Sequence, residues 1–274
     1  MPEDYSPHHR SRRLRELIAR GEPLAALGAT DAISARLIES HGFECVYIGS
    51  YATAGSRYAL PDVGLIMLED LVAHAATIAH AVRVPVIADA EGGFQDVAKT
   101  VREFEDAGVA AIHIEDHTGE GKHTKLPQTL RPKEEMAARI RAAVAARTDP
   151  EFIIVARSDA FWVNGDLEDC IARLEAYAEA GADMIFPTAV GPRELAQVRK
   201  RIEKPAMVID MPRKRLDAHA GAAIVLFYAF SLLVEFDALG RALEKFKQKG
   251  SFTGRVSELE DLLGYGRLDA PLPP

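Results

Sequence analysis

The chain has 274 residues, with 41 acidic against 33 basic side chains and a formal net charge of −8. That balance argues against a nucleic-acid-binding face, which needs a basic stripe, but a local arginine and a metal can still hold a small anion in a diffuse negative field. Cys45 and Cys170 are too few and too far apart for a disulfide framework or a metal motif, the N-terminus lacks an apolar core of signal-peptide length, and the longest apolar run, Ala220–Phe236, is broken by Gly221, Ser231 and Glu235; a cytoplasmic protein with no membrane span is expected.

Apolar runs of strand length alternate with amphipathic stretches of helix length. The first strand is Pro23–Gly28, and a helix follows from Asp31, its N-cap, to about His41. The second strand, Glu44–Gly49, leads through a loop with Pro61 and Gly64 to a helix near Met67–Val82. Strand Pro85–Asp89 precedes a helix near Asp96–Ala107, and strand Ala110–Glu115 precedes a long connection, His117–Pro132, and a helix near Lys133–Ala146. Strands Phe152–Arg157 and Met184–Pro187 precede helices near Leu167–Ala180 and Arg193–Arg201. The seventh and eighth strands are Ala206–Asp210 and Ala222–Tyr228, with helices near Leu232–Lys247 and Val256–Leu263 at the end. Near-continuous apolar strands such as PVIAD and FIIVA suit a sheet covered on both faces. Eight strands with intervening helices, and no linker or repeat, predict one (β/α)8 TIM-type barrel domain over residues 1–274 with an additional C-terminal helical segment from about residue 231. The runner-up, an open doubly wound sheet, usually has five or six strands and a glycine-rich first turn, and GxGxxG is absent.

In such a barrel the chemistry sits where the strands end. Those positions carry Thr30 and Asp31; Gly49, Ser50 and Tyr51; Asp89, Glu91, Gly92 and Gly93; Glu115, Asp116 and His117; Arg157, Ser158 and Asp159; Thr188; and Asp210. Asp89, Glu91 and Glu115 are the metal candidates, because hard divalent ions take carboxylate oxygens and three acids in one mouth repel without a cation; singly, each could instead cap a helix or pair with a base. Arg157 either pairs with a carboxylate such as Asp159 or grips a substrate carboxylate bidentately. Ser50, with the amides of Gly49 and Tyr51, is a candidate anion pocket. The connection through Gly119, Gly121, Lys122, His123 and Lys125 is long enough for a lid that brings cationic or acid groups over an anion, or is a solvated charged loop. His74 and His80 read as helix residues, and Cys45 and Cys170 as structural.

These segments carry a resemblance: VYIGSYATAGSRYALPD (46–62), PVIADAEGGF (85–94), GVAAIHIEDH (108–117), RPKEEMAARIRAAVAARTDPEFIIVARSDA (131–160) and YAEAGADMIFPTA (177–189). The chain resembles the isocitrate lyase/phosphoenolpyruvate mutase superfamily, in its methylisocitrate lyase-like branch, over nearly its whole length. The resemblance implies a barrel whose last helix is commonly exchanged between subunits of a homodimer or homotetramer. It also implies Mg2+, with Mn2+ as a substitute, and an enolate of a small oxo acid. On that basis Gly49, Ser50, Tyr51, Asp62, Arg157 and Thr188 are expected to bind the substrate, Asp89, Glu91 and Glu115 the metal, and Arg157, His123 and Glu115 to be catalytic. The implied reaction is carbon–carbon cleavage of a small anionic 2-oxo or 2-hydroxy di- or tricarboxylic acid. The alternatives are an oxo-acid decarboxylase or hydrolase, a phosphonate mutase-like enzyme, and a non-catalytic acid-binding homologue. The departures fall on the residues that choose the leaving group. His123 of GKHTK stands near the place of the lyases' lid cysteine, Thr188 replaces a glutamate, Ile209 or Asp210 an asparagine, and His117 the mutases' lysine; the family's pocket serine aligns with Gly49, so Ser50 is shifted by one.

Overall fold

The computed structural model describes residues 7–119, 121–209 and 221–267. Its eight strands are β1 Leu24–Gly28, β2 Val46–Ile48, β3 Val86–Asp89, β4 Ala111–Glu115, β5 Ile153–Ser158, β6 Met184–Pro187, β7 Met207–Ile209 and β8 Ile224–Phe227. They form one parallel sheet in the order β6-β5-β4-β3-β2-β1-β8-β7. A parallel bridge between Ile185 and Ala206 joins its two ends, and the Ile185 amide donates to the Pro205 carbonyl at 3.0 Å. The open-sheet alternative is thereby excluded, and the fold is the expected barrel.

Alternation along each strand divides the core into two. One set includes Tyr47, Ile87, Ala111, Ile153, Val155, Met184, Phe186, Ile224 and Leu226, and fills the barrel. The other, including Val46, Ile48, Val86, Ile112, Ile154 and Val208, packs under the surrounding helices. Those helices are α2 Ala32–Ser40, α4 Leu68–Ala81, α5 Val97–Asp106, α6 Lys133–Ala146, α8 Leu167–Glu179 and α9 Pro192–Arg201, close to the predicted spans. Asp31, Asp96 and Asp166 cap α2, α5 and α8 by accepting from Ser34, Lys99 and Asp169 amides. Gly42, Gly108 and Gly181 hold the left-handed conformation expected at the ends of helices.

Three helices lie outside the expected elements. Helix α1, Pro7–Ala19, is mostly basic but turns Leu14 and Leu17 inward, and Leu14 joins the barrel-filling set. Helix α3, Ser50–Tyr58, is made of small and polar residues with Gly55 inside, where a Cβ would stand 3.0 Å from a methyl of Leu232. Helix α7, Ala160–Asn164, is a short turn beyond β5. Helices α10, Phe230–Lys249, and α11, Val256–Leu263, form the expected C-terminal segment. Among the described residues, no helix is long and apolar enough to cross a membrane. Asp210 lies outside the described residues.

Leu14 is completely buried among the barrel-filling side chains. Leu14→Ala is expected to lower unfolding stability by about 2–5 kcal/mol, the range for a leucine cavity. Urea titration should show a lower midpoint at unchanged slope; a loss under about 0.5 kcal/mol, the scale of a surface substitution, would mean that α1 does not plug the barrel.

Candidate active site

Strand register assembles the site. Asp89 is the register partner of His113 across β3 and β4, and Glu115 is that of Arg157 across β4 and β5. Parallel strands end on one rim, so these acids and the arginine share the same mouth. Gly49 ends the β2 run and is the N-cap of α3, so Ser50 opens a helix rather than a loop. The Ser50 amide at that N-terminus donates to the Asp89 carboxylate at 3.4 Å.

The acids are buried and close. Asp89 accepts from Ser50 Oγ at 3.1 Å and from the Ser50 and Glu91 amides at 3.4 and 2.9 Å. Burial opposes its charge, but His113, once protonated in acid, with Lys122 and Arg157 outweighs it and holds the Asp89 carboxyl well below the usual range. Asp62 accepts from Ser50 Oγ at 3.3 Å. Burial raises Glu91, and raises Glu115 to about 8 against the pull of Arg157 and Lys122. His113 donates to or accepts from Tyr47 OH at 3.0 Å inside the barrel, and burial lowers it to about 4, so it is neutral near pH 7.

Two cations answer these charges. Arg157 donates to both Asp159 oxygens, at 2.7 and 3.0 Å, and to Thr188 Oγ1 at 3.0 Å, while its remaining nitrogen lies 2.9 Å from Glu115. Thr188 in turn donates to Asp159 at 2.5 Å. Asp159 is thus the structural partner of Arg157, whose guanidinium also lines the cavity. Lys122, on the long connection, is 1% exposed, with Nζ 2.6 Å from Glu91, 3.0 Å from Glu115 and 3.8 Å from Asp62. Burial opposes its charge too, yet Glu115, Glu91, Asp89 and Asp62 keep the ammonium protonated well above an ordinary lysine.

His123 lies beside it with Nε2 3.2 Å from Asp62, and its ring faces Trp162 and Tyr51 at 5.2 and 6.3 Å. A cavity of about 300 Å³ is lined by Gly49, Ser50, Tyr51, Asp62, Asp89, Lys122, His123, Arg157 and Thr188. All the expected substrate-binding positions are therefore brought together. Glu91 and Glu115 contact Lys122 and do not line this cavity; Glu91 lines a second one of about 810 Å³ with Gly92, His117 and Gly119. Tyr47, Trp162, Ala189, Val190 and Tyr228 were not among the candidates, and Ile209, one of the two positions matched to the family's asparagine, completes the described wall. Tyr47 is two residues before Gly49, and His113 two before Glu115; the period-2 alternation of a strand would have pointed to both.

Among the described residues, no three acids, histidines or cysteines converge as a preformed metal cage. The donor set is nonetheless hard oxygen, and both Glu115 oxygens are buried without a well-aligned hydrogen bond. A small hard cation that takes one or two carboxylates and fills its shell with water and substrate oxygens fits such a set. The cysteines do not: Cys45 and Cys170 are buried and free, and burial pushes Cys170 up to about 12.

An acid cluster and a fixed arginine lie beside a helix N-terminus at the mouth of a (β/α)8 barrel, the end at which barrel enzymes carry their chemistry. The sequence model of the phosphoenolpyruvate phosphomutase family matches residues 14–247, and the chain belongs to that family. It is similar to 2-methylisocitrate lyase of Shewanella oneidensis, at 39% identity over 229 residues that cover 78% of this chain and 77% of that protein. It is similar to 2,3-dimethylmalate lyase of Eubacterium barkeri, at 40% identity over 274 residues that cover 93% and 94%. Among solved structures it is similar to phosphonopyruvate hydrolase in complex with oxalate and Mg2+, with a TM-score of 0.85 and 26% identity over 95% of this chain and 96% of that one. The isocitrate lyase/phosphoenolpyruvate mutase superfamily inferred from the motifs is thus the right one, in its methylisocitrate lyase-like branch.

A cation that binds Glu115 must displace its proton below a pH of about 8. Mn2+ affinity is therefore expected to fall as pH drops below that point, by up to about tenfold per unit. Glu115→Gln should flatten the profile; an unchanged slope in the variant would take Glu115 out of the cation site.

Proposed function

We propose that the protein is a Mg2+-dependent carbon–carbon lyase acting on a small 2-hydroxy or 2-oxo di- or tricarboxylic acid through an enolate. The observation that carries this reading is the buried acid cluster beside Arg157 and the N-terminus of α3. Asp89, Glu91 and Glu115 would hold the cation, with Asp62 beside them. Mg2+ supplies Lewis-acid charge at substrate oxygens, and Mn2+ would serve in its place.

The chain's own groups do the rest. Arg157, held rigid by Asp159 and Thr188, grips a carboxylate. The first amides of α3 stabilise developing negative charge, a contribution that needs no reorganisation during reaction. A carboxylate of the cluster takes the proton of a 2-hydroxyl as the new carbonyl forms, the adjacent carbon–carbon bond breaks, and its electron pair passes to the departing acid as an enolate. His123, oriented by Asp62, delivers the proton that completes that product. Trp162 and Tyr51 flank the histidine ring, which is still 39% exposed on its outer side.

A second reading, hydrolysis or decarboxylation of an oxo acid such as oxaloacetate, is favoured by one observation. His123, not a cysteine, faces the cavity, and both cysteines are buried elsewhere. Carbon dioxide release separates a decarboxylase from a lyase, and oxalate formation a hydrolase.

The assembly we propose is a homodimer or homotetramer built from one barrel domain per chain, with the C-terminal helices seated on a neighbouring subunit. Phe236, Leu239, Leu243 and Phe246 recur at three- and four-residue intervals along α10 and are 81%, 62%, 60% and 48% exposed. Such a stripe on a 20-residue helix suits a partner helix. A cytoplasmic location fits the two free, buried thiols.

Turnover on 2-methylisocitrate, 2,3-dimethylmalate, oxaloacetate and phosphonopyruvate, with and without Mg2+, tests the reaction. Cleavage of one of the first two acids to a 2-oxo acid is expected; turnover of phosphonopyruvate alone would replace the lyase with a phosphonate enzyme. Asp89→Ala should abolish metal-dependent turnover, and full activity would sink the metal assignment. His123→Ala should lower turnover by about 10²–10⁴-fold with metal binding intact, whereas wild-type rates would remove His123 from the mechanism. Replacing Leu239 and Leu243 together by glutamate should reduce the mass measured by light scattering to that of one chain; an unchanged mass would move the interface elsewhere.

A further inference from the structure

The strands divide the rim into two arcs. β3, β4 and β5 bring Asp89, Glu115 and Arg157, and Asp62 joins them through Ser50 and Lys122. β6, β7 and β8 follow one another around the rest of the ring, through the β7–β8 pairing and the bridge between Ile185 and Ala206. They add Thr188, Ala189, Val190, Ile209 and Tyr228 to the cavity wall, and no charged side chain among the described residues. An extended chain would turn alternate residues away, but Ala189 has φ +62, and Thr188, Ala189 and Val190 all line the cavity. The Thr188 hydroxyl is engaged, accepting from Arg157 Nε at 3.0 Å and donating to Asp159 at 2.5 Å, so its methyl is the part left for a ligand. Tyr228 meets Tyr51 edge to face at 5.5 Å, which joins this arc to the start of α3.

Charge and burial set what this arc accepts. Val190 is buried, and Ile209 and Tyr228 pack on the barrel-filling side chains. The cations of the described wall already answer carboxylates: Arg157 those of Asp159 and Glu115, Lys122 those of Glu91, Glu115 and Asp62, and His123 that of Asp62. A carboxylate laid against Val190 and Ile209 would give up water for no opposing charge among the described residues, which is costly. The Tyr51 and Tyr228 hydroxyls can each offer a hydrogen bond but bring no positive charge. An alkyl group in the same place gains by leaving water and forfeits no polar contact.

We infer that the acid is an alkyl-substituted dicarboxylate rather than a tricarboxylate, with its alkyl group seated on Val190, Ile209 and Tyr228. This rests on the proposed reading of the cavity as a carboxylate site. Selection between the two acids is a difference of free energies, in which the gain of the alkyl group and the desolvation cost of a third carboxylate act in the same direction.

Calorimetric titration of the full-length protein with Mg2+ at pH 8 tests this with succinates, which lack the 2-hydroxyl and are not cleaved. The series is succinate, 2-methylsuccinate, 2-ethylsuccinate and 2-isobutylsuccinate. It is set against propane-1,2,3-tricarboxylate, which carries a carboxylate where 2-isobutylsuccinate has an isopropyl group. Affinity is expected to rise about three- to fourfold with each added carbon. 2-Isobutylsuccinate should bind at least about tenfold tighter than the tricarboxylate. Ile209→Asn and the near-isosteric Val190→Thr should each weaken 2-isobutylsuccinate at least about fivefold and leave succinate within about twofold. Should one variant not fold, the other and the wild-type series decide. A flat series overturns the inference, as does a tricarboxylate that binds as tightly as 2-isobutylsuccinate. So does an equal loss on succinate and 2-isobutylsuccinate in the folded variants. No binding of any of these acids overturns it together with the carboxylate site, while the expected order without turnover on any hydroxy acid leaves it standing and removes only the proposed reaction.

Discussion

Four carboxylates share the mouth of this barrel, and the rest of the site follows from how their charge is answered. Asp62, Asp89, Glu91 and Glu115 are all largely removed from water, where unpaired charge is costly. Arg157 and Lys122 supply two positive charges, and neutral His113 supplies none. Glu115, raised to about 8, is largely protonated near pH 7, so the cluster takes a further cation as that proton leaves. The cluster also explains why the long connection lies where it does: without Lys122, Glu91 would lose its 2.6 Å partner.

The scaffold makes this arrangement rigid on one side and adjustable on the other. On the β4–β5 side, Asp116 accepts from Ser158 Oγ, the Asp159 amide, Tyr177 OH and Arg173 at 2.8–3.4 Å. That network fixes Asp159, which in turn fixes Arg157. The guanidinium also lies over the Phe186 ring at 5.2 Å, so its orientation is set by packing as well as by charge. On the connection after β4, Lys122 donates to Glu91 and to the Gly119 carbonyl, and His123 is held by Asp62 and by ring contacts. A substrate would thus meet a preset arginine and a lid residue that can still move.

Much of this was legible in the sequence because a barrel converts chain order into geometry. Once eight apolar runs are recognised, the residue after each run must face the same rim, and Asp89, Glu115, Arg157 and Thr188 follow directly. Glu115 and Arg157, forty-odd residues apart, become neighbours through strand register alone. Other features carried no such signal. Helix α3 is built from small and polar residues whose pattern is that of a loop, and α1 buries its leucines behind a run of arginines. The seat of Lys122 could not be read either, since strand periodicity says nothing about how a connection folds back. Asp159 was visible as a partner for Arg157, but only the structure shows a bidentate pair with a nitrogen left for Glu115.

Backbone strain marks the same boundary between scaffold and site. Five described residues other than glycine have positive φ: Ala59, Glu91, Phe94, His123 and Ala189. Ala59 ends α3, but Glu91, His123 and Ala189 belong to the mouth, and Phe94 to the loop that carries Glu91. Each such residue costs about 1–3 kcal/mol unless its surroundings overdetermine it. For the Glu91 loop they do. Arg139 on α6 donates to the Gly92 carbonyl at 2.8 and 3.1 Å and to that of Phe94 at 2.5 Å, and the Glu91 amide is tied to Asp89. The helix layer thus stabilises a backbone path that the loop would not adopt alone, and that path turns Glu91 toward Lys122. The regular, well-packed barrel supplies the stability against which this local cost is set, which is why strain and chemistry coincide at the rim and nowhere along the strands.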